Sequence, residues 1–154
     1  MDILTLLKPE ATKSISAASS KKRLFQEIAD IASTSYGLDT SVTFTALQDR
    51  ENLGPTGVGH GVALPHARLE TLEEVVGIFL RLEKPLDFES SDKQPVDLFF
   101  ALFAPIDAGV EHLKALALVS RTMRNSDVCE KLRANNEAAA LYAILTEGPA
   151  SQAA

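Results

Sequence analysis

A single cysteine, Cys129, stands in a chain of 154 residues. One thiol excludes an internal disulfide and any cysteine-rich zinc site. It falls in an expected helix, Asp127 to Arg133, where a small buried or half-buried thiol is the plain reading. Basic residues are in the minority, and the formal net charge is −6. Sequence-independent nucleic-acid binding needs a basic face, so that class is excluded. A basic protein partner is permitted, but acidity alone identifies none. No apolar run approaches the roughly 20 residues that span a bilayer. The start, Met1-Asp2-Ile3-Leu4, has neither the basic region nor the apolar core of a secretory signal. The expectation is a cytoplasmic protein with no membrane insertion. Internal repeats and low-complexity blocks are also missing. What remains is ordinary: 45% hydrophobic and 23% charged residues, in a length that suits one domain with a substantial core.

Glycine is sparse except in one stretch. Of eight in the chain, Gly54, Gly57, Gly59 and Gly61 fall between Arg50 and His66, together with His60. Glycine is needed where a backbone takes positive φ or comes close to something. A short apolar run, Val62-Ala63-Leu64, then delivers His66 after Pro65. The stretch reads as a loop that cradles an anion and presents a nucleophilic imidazole.

Around it the chain alternates strands and helices, which makes an α/β domain. Residues 3 to 7 read as a helical turn limited by Pro9, and Ala11 to Ser16 as an edge strand. Ser19 or Ser20 can cap a helix from Lys21 to about Ser33, with Leu24, Ile28 and Ile31 at helical spacing. Its opening run Lys21-Lys22-Arg23 reads as a solvated face or a docking feature. Asp39 or Thr40 can cap a second helix to about Glu51, with Val42, Ala46 and Leu47 as its apolar side and Thr43 and Arg50 elsewhere. Strands are expected at Val62 to Leu64, Val75 to Leu82 and Val96 to Ala104. The last is nearly all apolar and suits an interior position covered on both faces. Asp97 within it needs a hydrogen-bond partner. Helices are expected over Val110–Met123, Asp127–Arg133 and Glu137–Thr146, the last ended by Gly148-Pro149.

His66 has the strongest chemical case. Imidazole can attack phosphorus and hold the phosphoryl group, and it titrates near neutral pH. Such a group must then be held by N–H groups and cations. Gly57 and Gly59 of the loop can offer N–H groups, Thr56 a hydroxyl and Arg50 a cation. The residue types equally allow a structural histidine at a strand end. His112, near the start of a later helix, reads alone as a surface residue and beside a phosphohistidine as a donor to a phosphate oxygen. His60 reads as a solvated loop residue. No histidine pair has the i, i+4 spacing of a zinc helix. No Gly-Lys-Ser/Thr follows the glycines, and the loop leads into a strand instead of a helix, so neither a P-loop nor a dinucleotide fingerprint fits.

The run Gly54-Pro55-Thr56-Gly57-Val58-Gly59-His60-Gly61-Val62-Ala63-Leu64-Pro65-His66 resembles the active-site signature of phosphotransferase-system enzyme IIA domains of the fructose, mannitol and nitrogen-regulatory type. Matching blocks are Gln94 to Leu102, His112 to Leu116 and Ser20-Lys21-Lys22-Arg23, in the right order over about residues 2 to 147. The resemblance implies a mixed β-sheet flanked by helices in a single domain, residues 1–148, with 149–154 as a flexible tail. It implies that His66 is phosphorylated, on Nε2, that His112 is the second active-site histidine and that Arg50 helps hold the phosphoryl group. A histidine phosphocarrier protein, charged from phosphoenolpyruvate through enzyme I, would be the donor, with no cofactor and no metal. The chain most resembles the nitrogen-regulatory members, whose phosphorylation state governs contacts with regulatory protein targets. Alternatives are a sugar-uptake IIA passing phosphate to a IIB domain, a binding-only module, and an unrelated metal or small-anion binder. Two positions depart from the family pattern: Pro55 stands where serine is usual, removing a hydroxyl and an N–H, and His60 where asparagine is usual.

Overall fold

Capping residues set most of the helix starts. The computed structural model describes residues 1–153, with side chains through residue 147. Asp2 caps a single turn, α1 (Ile3–Leu6), which runs straight into β1 (Leu7–Ile15). Ser20 accepts a hydrogen bond from the Arg23 N–H and opens α2 (Lys21–Tyr36), which Gly37 ends in the left-handed conformation. Asp39 does the same for α3 (Thr40–Leu53) through the Val42 N–H. Three short strands follow: β2 (Gly57–Gly59), β3 (Val62–Ala63) and β4 (His66–Leu69). Two long ones come next, β5 (Val76–Leu86) and β6 (Val96–Pro105). The chain closes with α4 (Gly109–Met123), α5 (Ser126–Arg133), capped by Asn125, and α6 (Ala138–Ala153).

The six strands form one mixed sheet in the order β1-β5-β6-β3-β2, with β4 also on β6. β6 is its spine. It pairs antiparallel with β5 on one side and parallel with β3, then β4, on the other. From Leu98 to Ala104 every residue is wholly buried, as its apolar sequence requires. On one face of it Phe88 lies edge-on to both Phe25 and Phe99, and on the other Phe100 lies edge-on to Phe79. α2 packs on β1 and β5, α6 on β1, and α4 on β6. The expected mixed α/β sheet flanked by helices is what forms.

Several local expectations are corrected. Pro9 does not limit the first turn but lies inside β1, which pairs only with β5; an edge strand tolerates the missing donor, and the register slips between Leu7 and Thr12. On α3 the buried stripe is Thr43, Leu47 and Glu51, while Val42 is exposed. Spacing of four decides that face, over residue type. Gly148-Pro149 does not end the last helix, because α6 extends to Ala153; a proline removes one backbone bond without forbidding continuation. The expected tail, 149–154, thus falls on helix except for Ala154, which lies outside the described residues.

Much of the glycine stretch is a hairpin. β2 and β3 pair antiparallel across a two-residue turn in which His60 (φ 57) and Gly61 (φ 77) are both left-handed, the pattern of a type I′ hairpin. Asp97 finds its partner next to this turn: Arg133 of α5 donates from Nε and Nη2 at 2.9 to 3.1 Å and also reaches the His60 carbonyl at 2.8 Å. A Cβ on Gly61 would sit 2.5 Å from the Arg133 guanidinium and 3.0 Å from the Asp97 carboxylate. Gly61→Ala is therefore expected to lose about 1–2 kcal/mol from backbone strain alone, with disruption of the ion pair added. Urea denaturation measures it, and an unchanged midpoint would contradict the role given to this turn.

Candidate active site

His66 is placed by pairing. As first residue of β4 it sits opposite Leu102 of β6, and the Leu102 N–H donates to the Pro65 carbonyl at 2.9 Å. Alternation along β4 buries Ala67 and Leu69 and turns His66, half-buried, and Arg68, exposed, to the other face. His112, in the first turn of α4, closes on His66 with ring centroids 5.7 Å apart and planes at 74°. The expected surface residue is buried, at 5% exposure. Its Nε2 has no hydrogen-bond partner among the described residues.

The hydrogen bonds define the state of His66. Nδ1 lies 2.9 Å from the Leu64 carbonyl oxygen, which only accepts, so Nδ1 carries the proton. Nε2 then holds the lone pair. Arg50 points its Nε at that atom from 3.4 Å, while its Nη1 donates to the Gly54 carbonyl at 2.9 Å. Burial lowers the proton affinity of His66 below the usual histidine range, and the Arg50 charge adds to this; the Leu64 bond and Glu51 oppose it. His112 is lowered too, by burial, then by Arg68 and His66. The two imidazoles thus lie edge-on to each other, with the Arg50 guanidinium against His66.

The loop does not form the expected backbone cradle at its near end. The Gly54 N–H bonds the Glu51 carbonyl at 3.1 Å, Pro55 has no N–H, and the Thr56 N–H bonds the Glu51 carboxylate at 3.2 Å. The Thr56 hydroxyl is committed to the same carboxylate at 2.5 Å. Gly57 is glycine because a Cβ there would meet the Ser90 Cα at 2.9 Å. Gly59 registers with Val62, which pairs with Leu98, four residues along β6 from the partner of His66. That is roughly 13 Å at strand spacing. Of the six candidates, the structure brings together His66, His112 and Arg50; Thr56 stands behind them, and Gly57 and Gly59 serve packing and turn. His60 is exposed, with its N–H on Asp92 at 3.0 Å.

Three participants escaped the sequence. Arg68, anchored on the Ile106 carbonyl at 2.9 Å, follows His66 by two and so shares its face; the period of a strand was the available signal. The Leu64 carbonyl carries no signal in residue type. Glu51, buried within the α3 stripe, holds the loop, and Lys21 completes its surroundings at 3.0 Å. Lys21 is thus neither a solvated nor a free docking residue. No cluster of three or more His, Cys, Asp or Glu residues suited to a metal ion occurs among the described residues. Cys129 is buried, and burial pushes its thiol pKa up.

Comparison with known proteins gives the family. The family described as "Phosphoenolpyruvate-dependent sugar phosphotransferase system, EIIA 2" matches residues 5–148. A nitrogen regulatory protein of Bradyrhizobium diazoefficiens is 47% identical over 153 residues, covering 99% of this chain and all of the relative. A fructose-specific EIIA component of Haloferax volcanii is 30% identical over 133 residues, covering 86% and 81%. The crystal structure of nitrogen regulatory protein IIA-Ntr from Neisseria meningitidis superposes with a TM-score of 0.84 at 34% identity, over 92% of this chain and 97% of that one.

The depressed histidines have a consequence for stability. The unfolded chain takes up protons near pH 6.5 that the folded rings refuse, so their contribution is complete above about pH 6.5 and is lost as pH falls through the lowered values. The urea midpoint is expected to fall between about pH 7.5 and pH 5. The fall should be smaller in the His66→Ala, His112→Ala double variant. An equal fall in both proteins would contradict the assignment.

Proposed function

The chain belongs to the EIIA 2 family of the phosphoenolpyruvate-dependent sugar phosphotransferase system, and from that premise we propose that it carries a phosphoryl group on Nε2 of His66. The supporting observation is the 2.9 Å contact between Nδ1 and the Leu64 carbonyl, which leaves the lone pair on Nε2, available for attack once the long 3.4 Å bond from Arg50 Nε passes to a phosphoryl oxygen. The donor is a phosphohistidine on a small phosphocarrier protein. The Nε2 lone pair forms a bond to phosphorus, the donor N–P bond breaks, and its electron pair returns to the donor imidazole. Catalysis is then positioning and charge. Arg50 neutralises the phosphoryl oxygens from one side and Arg68 adds charge from the face of β4. His112, as its Nε2–H tautomer, gives a phosphoryl oxygen the hydrogen bond that its buried nitrogen lacks in the free protein.

A phosphoryl group here places about −1.5 to −2 charges on the surface. Exposed Ile106, Val110 and Leu113 lie on or next to the α4 turn that carries His112. A partner docking over these residues therefore meets a different electrostatic face in each state. Regulation of protein targets by that state fits the relatives named nitrogen regulatory protein. A second reading, transfer onward to a IIB domain, is favoured by the likeness to the fructose-specific component.

Intact-mass spectrometry after incubation with phosphoenolpyruvate, enzyme I and the phosphocarrier tests both. Wild type is expected to gain one acid-labile phosphoryl adduct and His66→Ala none. His112→Ala and Arg50→Ala should slow labelling by about 100-fold, the cost of losing one preorganised donor. Labelling retained in His66→Ala would overturn the carrier assignment. Rapid transfer onward to a fructose-type IIB would move the role from regulation to uptake.

A further inference from the structure

Two neighbouring residues at the end of α3 grip two residues of the loop that follows. Arg50 Nη1 donates to the Gly54 carbonyl at 2.9 Å. Glu51 accepts from the Thr56 hydroxyl at 2.5 Å and the Thr56 N–H at 3.2 Å. Between the two grips Pro55 has its φ fixed by its ring. The Glu51 carboxylate is buried, with 4% of the side chain exposed, and Lys21 lies 3.0 Å away with its ammonium over the Phe88 ring at 4.6 Å. Such a carboxylate needs its partners, and here every one of them except Lys21 belongs to Thr56. Neither Glu51 nor Thr56 has a hydrogen bond to His66. What touches His66 is Arg50, and the Gly54 carbonyl is the second point that orients its guanidinium.

We infer that Glu51 and Thr56 are positioning residues for phosphoryl transfer: they clamp the Gly54–Thr56 segment so that the Gly54 carbonyl holds Arg50 against Nε2 of His66. The inference rests on the carrier reading above, and it reassigns Thr56, read from the sequence as a phosphate ligand, to a role one step removed. A guanidinium held at one end only sweeps a wider arc, and small misplacement of a charge-stabilising group is costly in rate. Lys21 supplies the opposite charge that makes the clamp tolerable in a buried place. Pro55 adds stiffness where another residue would add freedom. The departure from the usual serine thereby gains a physical sense, since the N–H it removes was not needed to hold this loop.

A double-mutant cycle separates this role from a general structural one. Thr56→Val keeps the volume and removes the hydroxyl; Thr56→Ser keeps the hydroxyl. Single-turnover phosphorylation by the phosphocarrier is measured as a function of its concentration. Thr56→Val should lower the limiting rate by about tenfold with the half-saturating concentration unchanged, and Thr56→Ser should restore most of the loss. In an Arg50→Ala background, Thr56→Val should cost nothing further. In the free protein, exchange of the Arg50 Nε proton with water, followed by NMR, should quicken in Thr56→Val and not in Thr56→Ser. Equal costs in the two backgrounds, or a loss confined to the half-saturating concentration, would overturn the positioning role while leaving His66 as carrier. Failure of the wild type to be labelled would remove both readings together.

Discussion

The hydrogen bond from His66 Nδ1 to the Leu64 carbonyl determines what the rest of the site can do. A neutral imidazole has two tautomers, and only one leaves the outward nitrogen basic. The carbonyl makes the choice because it cannot donate. Its own position is over-determined. Leu64 precedes a proline and is confined to extended backbone, its N–H donates to the Thr56 carbonyl at 2.9 Å, and Pro65 accepts from Leu102 of the buried spine strand. Three residues of chain, two of them held by neighbouring segments, thus fix one proton. Burial keeps that proton the only one, since a charged ring is penalised there.

The second constraint is where the charge for a phosphoryl group comes from. Backbone amides are the usual resource of a glycine-rich loop, but here the N–H groups of Gly54 and Thr56 go to Glu51 and Pro55 offers none. In the proposed carrier the work passes to side chains: Arg50 from the last turns of α3, Arg68 from β4 and His112 from α4. Each comes from a regular element anchored on β6 or its neighbours, so their mutual geometry is that of the sheet. The loop's part is to hold Arg50 still.

The long elements were legible because their patterns are strong. The apolar run Val96 to Ala104 suited an interior strand, the stripe Leu24, Ile28, Ile31 with a serine before it suited a capped helix, and both formed. The need of Asp97 for a partner was legible too, although Arg133 could not be named. β2 and β4 were not legible, being three and four residues long and held by pairing that no local propensity announces. On α3, residue type pointed to Val42 while the helix turned Thr43 and Glu51 inward, since two polar residues on a buried face make sense only with their tertiary partners known. The meeting of His66 and His112 spans 46 positions of sequence and came from family resemblance alone. Gly57 shows the ambiguity of glycine: one needed for close packing against Ser90 looks the same in sequence as one that cradles an anion.

The central claim is that Nε2 is the reactive atom because Nδ1 is held protonated. Long-range proton–nitrogen NMR on the uniformly 15N-labelled protein, before and after phosphorylation, addresses it directly. The expected result is a protonated Nδ1 and a bare Nε2 on His66 in the free protein, with the phosphorus coupling appearing at Nε2 while Nδ1 keeps its proton. A phosphoryl group on Nδ1, or a free protein with the proton on Nε2, would contradict it.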